Sequence, residues 1–202
     1  MINLFNWRSK LVRDITGDVL EIGIGTGANL QHYRHADSVT GIEPDAARAE
    51  KARAQSAKVP VTIETSSAED LPFADNSFDS IVSSLVLCSV KDQHRALQEM
   101  RRVLKPGCTL HMVEHVKPTN YLAYNILRVL TPMWSKAVCN CHLDRPTIEV
   151  LDEMSWDVEI HSRRFMFVHM SAVPAPEPRQ SAYNTSLQRE FYEKGYTGQA
   201  KN

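Results

Sequence analysis

Glu21-Ile22-Gly23-Ile24-Gly25-Thr26-Gly27 follows the apolar step Val19-Leu20 and leads into Ala28-Asn29-Leu30. It reads as a strand, a tight glycine turn and the start of a helix. Closely spaced glycines carry a backbone-entropy cost, and without Cβ atoms they let a ligand reach the main chain. A helix beginning behind the turn would add unpaired N–H groups for a carboxylate or phosphate. The first expectation is therefore a nucleotide-like cofactor.

Two cofactor classes compete for this turn. Gly23, Gly25 and Ala28 satisfy the loose dinucleotide fingerprint, and Glu43 lies at a suitable distance for a ribose contact. Against a dinucleotide stand the third glycine, Gly27, and the carboxylate of Glu21 just before the turn. A carboxylate there opposes a pyrophosphate and suits a ligand with a positive end. S-adenosylmethionine carries an ammonium and a sulfonium and no phosphate, so it is the expected cofactor.

Outward from this turn, strand and helix signals alternate. Residues 18–22 read as a first strand and 28–33 as a helix. Residues 38–42 form a second strand before the alanine-rich helix 46–57, and 61–64 form a third. Residues 78–82 read as a buried fourth strand, 93–104 as a helix closed by Lys105-Pro106-Gly107, and 109–113 as a fifth strand. The alternation predicts an α/β fold: a doubly wound, Rossmann-like, mostly parallel seven-stranded sheet with helices on both faces and ligands at the strands' carboxyl ends. Residues 121–138, rich in large apolar side chains and broken at Thr131-Pro132, either cover the cleft or pack on the sheet. Residues 156–160 and 165–170 read as two final strands joined by a turn at 162–164. The expected domain is 1–173, with 1–17 an N-terminal helix or flap and 174–202 a polar, proline-rich tail.

Bulk properties narrow the function further. The 202 residues suffice for a core without disulfides or metal, and a net charge of -1 offers no electrostatic footprint for nucleic acid. Cys88, Cys108, Cys139 and Cys141 lack the spacing of a disulfide framework, no cleavable signal is evident, and the longest apolar run is too short to span a bilayer. The expectation is a cytoplasmic protein with reduced thiols and no stable membrane insertion. The C-x-C-H spacing of Cys139, Cys141 and His142 does not match the usual zinc pairs, so no metal is expected. A Gly-x-Ser-x-Gly nucleophile elbow is absent.

Other strand ends support a methyl donor. Glu43 closes the second strand, where its carboxylate can accept from both ribose hydroxyls, and Pro44 offers an apolar face to adenine. Residues 67–73 follow the third strand, where an acidic side chain and backbone groups can read the adenine edge. Residues 84–87 follow the fourth and would run beneath the methionine part. Leu20-Glu-Ile-Gly-Ile-Gly-Thr-Gly27, Ala68-Glu-Asp-Leu-Pro-Phe73, Phe78-Asp79 and Val103-Leu-Lys-Pro-Gly107 together resemble the motif series of class I S-adenosylmethionine-dependent methyltransferases. The type 11 branch, with its ubiquinone and menaquinone C-methyltransferases, is the nearest broad group. The resemblance covers roughly residues 19–114, departing at Cys108, where the family usually has a second glycine. It implies that Glu21, Gly23, Gly25 and Gly27 hold the methionine part, beneath which the strand ends already put Ser84 and Leu85. It places Glu43 at the ribose, beside Pro44, and Ala68 and Glu69 at the adenine region.

A narrower resemblance lies in Leu85-Val-Leu-Cys-Ser-Val-Lys91 and Met112-Val-Glu-His-Val116, and more loosely in residues 139–145. These are similar to the methyltransferase-like 7 group, membrane-associated alkyl-thiol S-methyltransferases. The hydrophobic leader of that group is not seen here, so its membrane location is not expected to transfer. The implied partner is a small, apolar methyl acceptor, with a thiol leading. A quinone-like or phenolic acceptor, or a binding module that keeps the cofactor without transfer, are the alternatives. Transfer requires alignment, exclusion of water and, for an acidic acceptor, removal of a proton. His115, just beyond the fifth strand, is the first candidate base; His142 and Asp144 are secondary candidates.

Overall fold

The computed structural model describes residues 4–138 and 140–175. Seven strands form one sheet in the order β3-β2-β1-β4-β5-β7-β6. Strands β1 (Thr16–Ile22), β2 (His35–Ile42), β3 (Val61–Glu64), β4 (Phe78–Ser84) and β5 (Leu104–His115) run parallel. Strand β7 (Phe167–Pro174) is antiparallel to β5, and β6 (Trp156–Arg164) to β7. The expected doubly wound α/β sheet is present. Its strand order reverses between β1 and β4, which opens a crevice at their carboxyl ends, next to Gly23.

Both faces of the sheet are covered because the central strands are apolar on both sides. Val19, Val82 and Val113 point to the face that buries Leu11 and Val12 of α1 (Leu4–Val12) and Ala49 and Ala52 of α2 (Ala46–Arg53). Their neighbours Leu20, Ile81 and Met112 point to the other face, where Leu97 and Met100 of α3 (Gln93–Val103) and Ile148 and Leu151 of α5 (Thr147–Glu153) pack. This is the period-two alternation of a strand, with apolar residues in both phases. Each such side chain, fully buried, contributes roughly 1.5–3 kcal/mol.

Side chains at the helix starts fix where the crossovers begin. Asp45 accepts from the Ala47 and Arg48 N–H groups at the head of α2, and Asp92 from the Arg95 N–H at the head of α3. Asn120 accepts from Ala123 N–H at the head of α4 (Tyr121–Ala137). Each satisfies backbone donors that have no partner within the helix.

Four local expectations need correction. Residues 28–33 do not form a helix; only a single 3-10 turn spans Leu30–His32. Asn29 and Tyr33 hydrogen-bond back to Glu21, and Tyr33 is already extended, so the chain enters β2 before a helical turn can propagate. Helix α4 is not interrupted at Thr131-Pro132. Proline removes one hydrogen bond there, the Thr131 hydroxyl donates to Leu127 carbonyl, and the ladder resumes to Val138. Strand β5 begins at Leu104, so Lys105-Pro106-Gly107 lies inside it, and the last hairpin turns at residues 165–166. Helix α5 was not legible as a separate element. The N-terminal segment is helical over 4–12; the tail expectation lies almost wholly outside the described residues.

Leu97→Ala, which removes a side chain with no solvent exposure at the centre of the α3 face, is expected to lower unfolding free energy by about 2–5 kcal/mol in urea titrations.

Candidate active site

The crevice at the switch point is a cleft of about 250 Å³. Of the cofactor residues expected from sequence, Gly23, Glu43, Pro44, Ala68, Glu69 and Leu85 line it. Ile42, Arg48, Val86, Ser89, Val90 and Lys91 complete the lining; of these the sequence had set only Val86 beside the cofactor, within residues 84–87. Gly25 adopts φ +62°, and a Cβ built there would meet no protein atom within 4 Å, so the turn has an open face. Gly27 instead packs against α2, where a Cβ would lie 3.2 Å from the Ala52 Cα.

Carboxylates at the strand ends hold the loops of the cleft. Glu43 accepts from the Gly25 N–H at 3.0 Å and the Asp45 N–H at 3.1 Å, one on each oxygen, joining the glycine turn to the end of β2. Glu69 accepts from Lys91 N–H at 2.8 Å and from the Ser67 hydroxyl, joining the loop after β3 to the loop after β4. Burial works to raise Glu69, but these hydrogen bonds outweigh it and hold the group below the usual carboxylate range. Glu21 does not line the cleft. It is buried behind the turn, where Asn29 Nδ2 and the Tyr33 hydroxyl donate to it, both at 2.8 Å. Burial pushes it up to about 7 against the opposing pull of those two donors.

Glu114 completes this set and was not expected. It is fully buried near the end of β5 and accepts from Ser83 Oγ at 2.6 Å and from the N–H groups of Val86 and Leu87. Burial raises its pKa, opposed by those donors. Its grip, with the Leu85 N–H to Val113 carbonyl bond, holds Leu85 at φ +61°. An acid closing the apolar run Met112-Val113 was the available signal, since a carboxylate in that setting needs partners. Ser84 ends β4 beside this lock.

The three catalytic candidates differ in their surroundings. His115 ends β5 half-buried and is not among the residues lining the cleft; its ring lies 4.4 Å from that of Phe167, which in turn meets Trp7 of α1 edge-on. Its Nδ1 lies 3.3 Å from Cys141 Sγ, and Cys141 Sγ lies 3.5 Å from Cys88 Sγ. Cys88 and Cys141 are buried with Leu143, against Leu127, Val138 and Met166. The neighbouring Cys88 and then His115 hold the Cys141 thiol below the usual thiol range, while the bond to Cys141 and burial push Cys88 up. The expectation of no metal was argued from Cys139, Cys141 and His142; the described cluster with metal-ligand spacing is instead Cys88, His115 and Cys141. Cys139 lies outside the described residues. His142 is half-buried, its Nε2 3.3 Å from Asn140 Oδ1 and its N–H bonded to Cys88 carbonyl. Asp144 is half-buried on the same segment.

A family model described as a methyltransferase domain matches residues 20–112. The chain is 34% identical over 179 residues to the thiol S-methyltransferase TMT1B of Rattus norvegicus, a match covering 82% of this chain and 68% of that protein. The chain belongs to the S-adenosylmethionine-dependent methyltransferases. It is also similar to the ubiquinone/menaquinone biosynthesis C-methyltransferase UbiE of Geotalea daltonii, 29% identical over 71% of the chain and 70% of the relative. It spans 64% of the length of human TMT1B. Its fold matches a solved S-adenosylmethionine-dependent methyltransferase from Thermotoga maritima at a TM-score of 0.64 and 21% identity, over 85% of this chain and 89% of the other. The methyltransferase therefore uses S-adenosylmethionine, and the open glycine turn with Glu43 buried beside it fits such a ligand. Among the described residues, no helix is long and apolar enough to cross a membrane.

Glu21 supplies a pH test of this architecture. Its folded pKa of about 7 stands above the ordinary 4.5, so the folded state binds the extra proton between those values. Stability from this group is complete below the lower value and declines as pH rises toward the upper one, by up to about 3 kcal/mol. Glu21→Gln is expected to flatten that decline relative to the parent in urea unfolding measured across this window.

Proposed function

We propose that the methyltransferase transfers its methyl group to the sulfur of a small, apolar thiol. One observation carries this reading: the similarity to a thiol S-methyltransferase covers 82% of the chain, so it includes α4, the Cys88–His115–Cys141 corner and β6 wherever the match begins. In this reading Glu43 receives the ribose hydroxyls and Pro44 packs on the adenine. Ala68 and the loop fixed by Glu69 meet the adenine edge. Gly23, Gly25 and Leu85 take the methionine part, while Glu21, Gly27 and Ser84 keep the backbone around it in place.

S-adenosylmethionine supplies a methyl on a sulfonium, an intrinsically good leaving arrangement. The protein's tasks are alignment, exclusion of water and ionisation of the acceptor. A thiol near its reference pKa of about 8.5 needs only modest help. We assign that help to His115. Its ring packs against apolar Phe167, and its Nδ1 meets Cys141 Sγ in a sulfur-rich, apolar corner. His142, bonded to Asn140 and attached to the Cys88 backbone, acts by keeping that corner together.

Methyl transfer from labelled donor to a panel of alkyl thiols, catechols and quinols is expected to favour the thiols. His115→Ala is expected to lower kcat with the thiol by about 100-fold or more, with S-adenosylhomocysteine affinity unchanged by calorimetry. Turnover confined to catechols or quinols would discard the thiol acceptor and leave the cofactor assignment standing.

A further inference from the structure

Three donors from three distant parts of the chain meet at one buried point. Cys88 comes from the loop after β4, His115 from the end of β5, and Cys141 from the segment after α4. Backbone bonds fix the approach: His142 N–H donates to Cys88 carbonyl at 2.8 Å, and Asn140 Nδ2 to Ser89 carbonyl at 2.8 Å. The three ligand atoms lie within 4.8 Å of one another. The closer contacts are 3.3 Å from His115 Nδ1 to Cys141 Sγ and 3.5 Å from Cys141 Sγ to Cys88 Sγ. Zinc–sulfur and zinc–nitrogen bonds of about 2.3 and 2.0–2.1 Å in a tetrahedron set ligand-to-ligand edges of about 3.5–3.8 Å. Along these two edges, rearrangements of a few tenths of an ångström would admit the ion.

Electrostatics favours the same occupant. The corner is walled by Leu127, Leu143, Val138 and Met166, a setting in which a net charge is costly. Zinc with two thiolates and a neutral imidazole is net neutral, an added acceptor thiolate brings one negative charge that its methylation removes, and sulfur with imidazole is a donor set that suits the ion. Among the described residues the cluster has three such donors, one short of a tetrahedral set. Ser89, whose Oγ lies 3.6 Å from Cys88 Sγ, is also among the residues that line the cofactor cleft.

We propose that Cys88, His115 and Cys141 bind one zinc ion whose fourth position takes the acceptor thiol. The second half of this assignment rests on the thiol reading above. It gives His115 the part of a ligand in place of a general base. The cation displaces the protons of Cys88 and Cys141 on binding, and that of the acceptor thiol when it coordinates; these protons leave to solvent. The acceptor's sulfur then forms its bond to the methyl as the donor's carbon–sulfonium bond breaks, with that electron pair retained by the donor sulfur. The product is a neutral thioether, a poorer ligand than a thiolate, and it dissociates.

The test starts from full-length protein, reduced and stripped of metal, titrated with zinc alone against a chromophoric chelator. One equivalent is expected. Affinity should fall more than about tenfold in Cys88→Ser, Cys141→Ser and His115→Ala, and should be unchanged in Cys108→Ser. S-adenosylhomocysteine binding reports whether each variant is folded. Cobalt in place of zinc should give sulfur-to-metal charge-transfer absorption in the parent protein, a readout needing no variant. That spectrum should shift on addition of an alkyl thiol without cofactor. Substoichiometric zinc, zinc indifferent to all three substitutions, or a Cys88–Cys141 disulfide formed in place of metal uptake would overturn the site. A cobalt spectrum unmoved by thiol, or equal thiol turnover in stripped and loaded enzyme, would overturn the acceptor half while leaving thiol methylation intact. Absence of thiol turnover in both forms would sink the thiol reading, with the zinc count still deciding the cation site.

Discussion

Carboxylates at or beside the carboxyl ends of the parallel strands, accepting hydrogen bonds from the loops that follow, are the constraint on which this molecule's working face depends. Glu21 holds Asn29 and Tyr33, Glu43 holds Gly25 and Asp45, and Glu114 holds Ser83, Val86 and Leu87. Glu69, on the loop after β3, does the same for Lys91. Charge-assisted hydrogen bonds in a partly dry setting are stronger than neutral ones, and an unmet buried carboxylate is costly. The loops are thus tied to the sheet by groups that lose stability if the loops move.

That arrangement explains how a cleft can be built from irregular backbone. The loop after β1 contains only a 3-10 turn where a helix was anticipated. Its shape comes from Glu21 and Glu43 on either side, in place of a helical hydrogen-bond ladder. Rigid strands beneath position the acids, and the acids position the loops. The cleft therefore inherits its shape from the core that packs Leu20, Ile81 and Met112 on one face and Val19, Val82 and Val113 on the other.

The alternation of strands and helices and the family were legible because they rest on local signals: glycines at fixed spacing, apolar runs of strand length and acids closing some of them. What escaped were features that depend on residues far apart in sequence. Glu21 was read as facing a ligand, yet in the fold Asn29 and Tyr33, eight and twelve residues on, occupy its oxygens. The Cys88–Cys141 contact joins positions 53 apart, which no spacing rule within a short segment can reveal. Pro132 was read as a break because local propensity penalises it, whereas the helix on both sides was long enough to absorb one missing bond.

Leu85 shows what the cleft values. A leucine in the left-handed region is less stable there than glycine would be, by about 1–2 kcal/mol. Glycine could adopt φ +61° without that strain, and the chain uses it freely in the neighbouring turn. The position nonetheless carries a branched apolar side chain that forms part of the cleft wall. Conformational ease has been traded for surface at this point. The wall beside the glycine turn is therefore a shaped, hydrophobic boundary rather than bare backbone, and the cavity's contour at that spot is set by one side chain held in a posture it would not choose alone.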